Sequence, residues 1–160
     1  MNPTQTRWTP LPPLEIDWQN GVPVARQSGD VFFSTEDGVA ESDYVFIQGN
    51  QLRERWAAHT CDQPFVIAEV GLGTGLNTCL TIAEWLKHRP IGATLHYLGF
   101  EKAPVRPDDM RRALSRWPEL EPIITTLLER WPDPLLGCQR RHFPQWGLTL
   151  DLWWGDAGGA

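Results

Sequence analysis

The feature that most constrains this chain lies at residues 65–77, where the apolar run Phe65–Val70 ends in three glycines at alternate positions, Gly71, Gly73 and Gly75. The run is short, carries valine and isoleucine and is closed by glycine, the pattern of a strand buried in a parallel sheet. A parallel strand needs a crossover to its neighbour. Residues 76–87 supply one, with Leu76, Leu80, Ala83 and Leu86 at roughly helical spacing. Glycines at the carboxyl end of such a strand let the backbone approach a ligand closely, and the N-terminus of the next helix aims free N–H groups at it. The stretch therefore predicts strand, glycine turn and helix.

The glycine spacing narrows the ligand. A phosphate-binding loop of the Walker type needs Gly-Lys-Ser/Thr, whereas Gly75 is followed by Leu76 and Asn77. The dinucleotide fingerprint needs a third glycine at 76, where leucine stands. What remains is Glu69-x-Gly71-x-Gly73-x-Gly75, which resembles motif I of S-adenosylmethionine-dependent methyltransferases. That cofactor carries an amino-acid end, a ribose and an adenine, so a carboxylate at Glu69 can hold its ammonium group directly or through water. The alternative is a structural glycine-rich turn with no ligand, although three alternate glycines cost backbone entropy that a simple turn does not require.

A second apolar run, residues 93–100, ends at Glu101. An acid at the end of the second strand is where doubly wound folds hydrogen-bond the ribose hydroxyls of an adenosine ligand. His96 inside this run reads as a satisfied core histidine rather than a base. Cys79, in the predicted helix, reads as core rather than nucleophile. Residues 148–154 alternate toward a third strand that ends in Gly155 and Asp156. Asp156 stands where methyltransferases often place a residue near the adenine amino group, or else is a plain turn aspartate.

Upstream, residues 1–13 hold four prolines and read as an irregular arm. Residues 14–18 and 22–26 flank Asn20-Gly21, a hairpin turn, with Pro23 marking an edge strand. An extended piece at 30–34 leads to a turn at Glu36, Asp37 and Gly38, and residues 51–59 are helix-like. Residues 14–60 thus predict a β-rich extension in front of a core at 61–160. Within that core a helix begins at Pro107 and runs to about Trp117, Pro118 interrupts it, and a second runs over 121–131. Residues 137–144 read as a loop.

At 160 residues and 41% hydrophobic, the chain is one modest domain with enough apolar material for a core. A net charge of -6 argues against non-specific coating of nucleic acid. The clusters Arg111, Arg112, Arg116 and Arg140, Arg141, His142 read as solvated faces, permitting a local basic patch. Neither a secretory leader pattern nor a membrane-length apolar run is present, which places the expectation in the cytoplasm with no membrane partner. Cys61, Cys79 and Cys138 lack metal-ligand spacing and read as reduced thiols, so no metal is expected.

Residues 30–34, 44–52, 68–77, 100–102, 117–120 and 149–156 fall in order and look like the methyltransferase region of the MnmC family of bifunctional tRNA 5-methylaminomethyl-2-thiouridine biosynthesis proteins. The resemblance covers about residues 14–157. It implies an α/β fold, the first half of a Rossmann-like S-adenosylmethionine-dependent methyltransferase sheet preceded by a β-rich N-terminal extension. It implies transfer of a methyl group from S-adenosylmethionine to the primary amine of 5-aminomethyl-2-thiouridine at the wobble position, in the anticodon region of tRNA. Glu69, Gly71, Gly73, Gly75, Asn77, Glu101 and Asp156 map onto the cofactor half of such a site. Glu41, Tyr44 and Asn50 are substrate-side candidates, and no residue is assigned as catalytic base.

In that family a flavin-dependent oxidase region often follows on the same chain, and nothing here corresponds to it, so no FAD is expected. The family's fourth strand, which lies beside the first, is also absent, so the resemblance implies an N-terminal portion of a methyltransferase. The free edge of residues 65–70 then predicts pairing with a complementary C-terminal half, or self-association. A second functional class follows from this: a catalytically incomplete fragment that acts as a cofactor- or partner-binding module. A nicotinamide-dependent oxidoreductase is disfavoured by Leu76.

Overall fold

The computed structural model describes residues 8–34 and 37–159. Of the proline-rich arm, residues 1–7 lie outside the described residues; Pro10 forms an isolated bridge with Leu135, and Leu11 N–H donates to the Pro134 carbonyl (2.8 Å). Asn20 and Gly21 both take positive φ, 51° and 78°, and close an antiparallel hairpin of β1 (Ile16–Gln19) and β2 (Val22–Ala25). That is the turn Asn-Gly favours, because its twist matches that of the strands. The extended piece expected at 30–34 reduces to a single bridge between Val31 and Val24. Of the turn expected at 36–38, Glu36 lies outside the described residues. Asp37 caps a helix instead, its carboxylate accepting from Ala40 N–H at 2.9 Å.

Beyond the hairpin the extension is helical, which corrects the β-rich expectation. Helix α1 (Gly38–Ser42) runs into one π-helical turn, Asp43–Gln48, followed by α2 (Leu52–Ala57). The β-branched and aromatic residues 44–47 favour a strand locally. Packing overrides them: in the coiled segment Ile47 is buried in the main core together with Leu52 and Trp56 of α2.

The main sheet contains β3 (Phe65–Val70), β4 (Leu95–Glu101), β5 (Gly137–Phe143) and β6 (Leu148–Trp154), in the order β3-β4-β6-β5. The first three in that order are parallel, and β5 runs antiparallel to β6. Helix α3 (Leu76–His88) joins β3 to β4, while α4 (Pro107–Leu114) and α5 (Glu121–Glu129) follow β4. The loop expected at 137–144 is therefore mostly a strand. Its charged residues suit the sheet's edge, where polar side chains discourage unwanted pairing.

Register assigns the two faces. Ile67, Tyr97 and Leu150 align on one face and are buried beneath α3 and α5. Val66, Val70, Leu98, Phe100 and Trp153 align on the other, where Val66 and Val70 are 56% and 75% exposed. On that open face Asp151 of β6 takes a two-pronged bond from Arg140 of β5 (both 2.7 Å) and meets His96 of β4 at 2.7 Å. His96 is thus satisfied by a carboxylate, and Arg140 is occupied. Arg141 donates to the Arg130 carbonyl (3.0 Å), Arg111 to Glu121 (3.1 Å), and Arg112 lies 3.9 Å over the Trp18 ring. These guanidinium groups stitch the fold through such contacts.

Among the described residues no helix is long and apolar enough to cross a membrane, and no group of three or more His, Cys, Asp or Glu could hold a metal. All three cysteines are free. Burial and the nearby Glu69 charge push the Cys79 thiol up to about 12, so it stays protonated and behaves as core.

Candidate functional site

The carboxyl ends of β3 and β4 open into a cleft of about 900 Å³, closed on its far side by the extension. Glu69, Gly71, Gly73, Asn77 and Glu101 line it from the sheet side, and Phe32, Phe33, Glu41, Val45 and Phe46 from the extension. Two left-handed glycines line its floor, Gly71 (φ 80°) and Gly73 (φ 55°), while Gly75 (φ 83°) lies outside the lining, where a Cβ would meet Met110 at 2.9 Å. A side chain at Gly71 would project into open space, so the backbone there is bare to a ligand, while one at Gly73 would meet the Phe32 ring at 3.1 Å. Gly75 starts α3 without a side-chain cap, leaving the first-turn N–H groups without a side-chain acceptor.

Glu69 is buried and held from three directions. Asn77 Nδ2 donates to its Oε1 at 3.0 Å, while Thr78 Oγ1 (3.2 Å) and the Tyr97 hydroxyl both donate to Oε2. Burial pushes its carboxyl above the usual range, against the lowering effect of these three donors. Glu101 is fixed by backbone: Gly73 N–H donates to Oε2 at 3.0 Å and Ala103 N–H to Oε1 at 2.8 Å. Each Glu101 oxygen keeps acceptor capacity for a ligand hydroxyl.

The remaining residues expected at the site are dispersed. Glu41 lines the cleft, whereas Tyr44 sits on the π-helical turn, 71% exposed, outside the lining. Asn50 donates to the Phe46 carbonyl (2.8 Å) and faces a smaller cavity beside β3. Asp156 is exposed and accepts from Gly158 N–H (2.8 Å), the geometry of a turn aspartate, and it does not line the cleft.

Sequence reasoning missed Phe32 and Phe46 as walls, and Tyr97 and Gly99 as supports. A tyrosine on the buried face of an aliphatic strand needs a hydroxyl partner, and that signal could have linked Tyr97 to Glu69. Gly99 is the partner of Glu69 in the β3–β4 register, and a Cβ there would lie 2.6 Å from Leu72 of the glycine turn. Glycine at 99 lets the turn fold down onto β4.

No protein-family model matches the chain. Relatives do. The "tRNA 5-methylaminomethyl-2-thiouridine biosynthesis bifunctional protein MnmC" of Aeromonas salmonicida is 45% identical over 152 residues, covering 92% of this chain and 23% of the relative. The chain matches one region of the MnmC family. MnmC of Acinetobacter baylyi is 44% identical over 147 residues, 89% of this chain and 24% of its own length. MnmC of Marinobacter nauticus is 41% identical over 156 residues, 96% of this chain and 25% of its own. The chain thus spans about a quarter of the MnmC relatives it matches.

Proposed function

We propose that the chain carries the S-adenosylmethionine site of a tRNA methyltransferase, on a Rossmann-like sheet, acting on 5-aminomethyl-2-thiouridine at the wobble position. The observation that supports this most is Glu69, a buried carboxylate facing a cleft floored by the left-handed glycines Gly71 and Gly73. A buried carboxylate with no cation beside it is costly, and a ligand ammonium group removes that cost. Glu101, pinned by two backbone donors, matches a pair of ribose hydroxyls, and the bare backbone at Gly71 admits close approach. The MnmC relatives support the tRNA substrate.

When bound, S-adenosylmethionine supplies an electrophilic methyl group. The residues of this chain position it: Glu69 holds the amino-acid end, Glu101 orients the ribose, and Phe32 and Phe46 exclude water from the extension's side. A substrate amine must arrive or become unprotonated to present its lone pair. Glu41 lines the cleft from the extension, where a carboxylate attracts the amine in its protonated form as it arrives, before the proton is lost. Orientation then provides much of the rate.

A second reading rests on β3, whose outer edge pairs with nothing among the described residues, and on the uncovered sheet face beside it. On that reading the chain binds cofactor or a complementary polypeptide without turning over. Calorimetric titration of the chain with S-adenosylmethionine tests both, with Glu69→Gln as control. Binding that the control lacks supports the site, and methyl transfer to tRNA lacking the final methyl group then separates enzyme from binding module. A folded chain that binds no cofactor defeats the first reading.

A further inference from the structure

The two oxygens of Glu69 are held differently. Oε2 accepts from Thr78 and Tyr97, neither of which lines the cleft, whereas Oε1 accepts, among the described residues, from Asn77 alone, which does. Tyr97 is fully buried on β4 and Thr78 on α3, so the two hydroxyls grip the carboxylate from the core. We infer that Tyr97, with Thr78, is a positioning residue that anchors Oε2 from behind and leaves Oε1 as the oxygen offered to a cationic ligand end.

The division of labour has a physical basis. An ionised carboxylate has about four acceptor sites. Two hydroxyls on one oxygen fix the plane of the group, and the other oxygen retains a free lone pair. Burial and the Glu69 charge push the Tyr97 phenol well above its ordinary value, so it remains a donor across the working pH range. The other groups electrostatically coupled to Glu69 are Glu101 of β4, which disfavours its ionisation, and Cys79 of α3, which stays neutral. No cationic side chain compensates it within that set, so donors and ligand must.

The inference rests on the cofactor reading for the identity of the ligand, but not for the role of Tyr97. The test is a carboxyl-carbon NMR titration of Glu69 in the free 160-residue chain, for wild type, Tyr97→Phe and Thr78→Val, beside calorimetric titration with S-adenosylmethionine. Tyr97→Phe is expected to move the Glu69 midpoint to higher pH and to weaken cofactor binding about tenfold at neutral pH, the loss of one hydrogen bond to a charged group. Thr78→Val is expected to shift the midpoint in the same direction by less, and serves if Tyr97→Phe does not fold. An unchanged midpoint in a folded variant overturns the inference. A shifted midpoint in a chain that binds no S-adenosylmethionine keeps the positioning role and removes the cofactor reading.

Discussion

Glu69 sets stability against binding within one residue. Its carboxyl is raised in the fold by burial, so its contribution favours folding below the unfolded glutamate value and is lost as pH rises through the folded one. Above that folded value the ionised group is therefore a burden on the empty protein. Glu69→Gln is expected to raise the melting temperature at pH 8 by about 2–4 °C, the effect of about 1 kcal/mol in a domain of this size. The gain should shrink toward pH 4, where the wild-type group is itself neutral, and a lower melting temperature at pH 8 would refute this sign. Gly99 acts by size rather than charge. Gly99→Ala places a methyl 2.6 Å from Leu72 and 2.8 Å from Leu152. Such overpacking costs about 1–3 kcal/mol, and because Leu72 belongs to the glycine turn, cofactor affinity measured by calorimetry should fall with stability.

At the level of elements, Asp151 ties three strands through Arg140 and His96. Bonds from Arg140 and then His96 hold its carboxyl below the usual aspartate range. The stabilisation is present above about pH 4, the unfolded value, and is lost as pH falls through the lower folded one. Asp151→Asn should destabilise by about 1–2 kcal/mol at pH 7 in chemical denaturation, a modest figure because the Arg140 side chain is about half exposed and leaves no stranded charge. The difference should vanish in strong acid. The same strands show what was legible in the sequence. β3, α3 and β4 are readable because their apolar periods and glycine punctuation are local signals, and Glu69, Gly73 and Glu101 meet in one cleft as their places at strand ends imply. β5 is not readable, because Arg140, Arg141 and His142 resemble a loop until β6 supplies a ladder and Asp151 a partner. Residues 44–47 mislead in the opposite sense, since their strand propensity yields to burial of Ile47 in a π-helical turn.

At the scale of the molecule the governing fact is that, among the described residues, the sheet is covered on one side. Phe65 N–H donates to Thr94 and Gly71 N–H to Phe100, so the odd residues of β3 face β4. In a parallel strand the N–H and C=O of one residue point the same way, which turns those of Val66, Ala68 and Val70 to the free edge. Their side chains also lie on the uncovered face, next to Leu98, Phe100 and Trp153. Edge and face thus demand one thing together, a strand for the backbone groups and an apolar layer for the side chains. A second copy pairing β3 to β3 would satisfy the backbone of both and close as a dimer, yet leave both faces bare, so such association should be weak. Sedimentation of the purified 160-residue chain is expected to show concentration-dependent assembly. Replacing both Val66 and Val70 by lysine puts charges on that edge and should return the chain toward monomer, with no change in affinity for the cleft's ligand, since neither valine lines it. Assembly that persists in the double variant would move the contact away from β3.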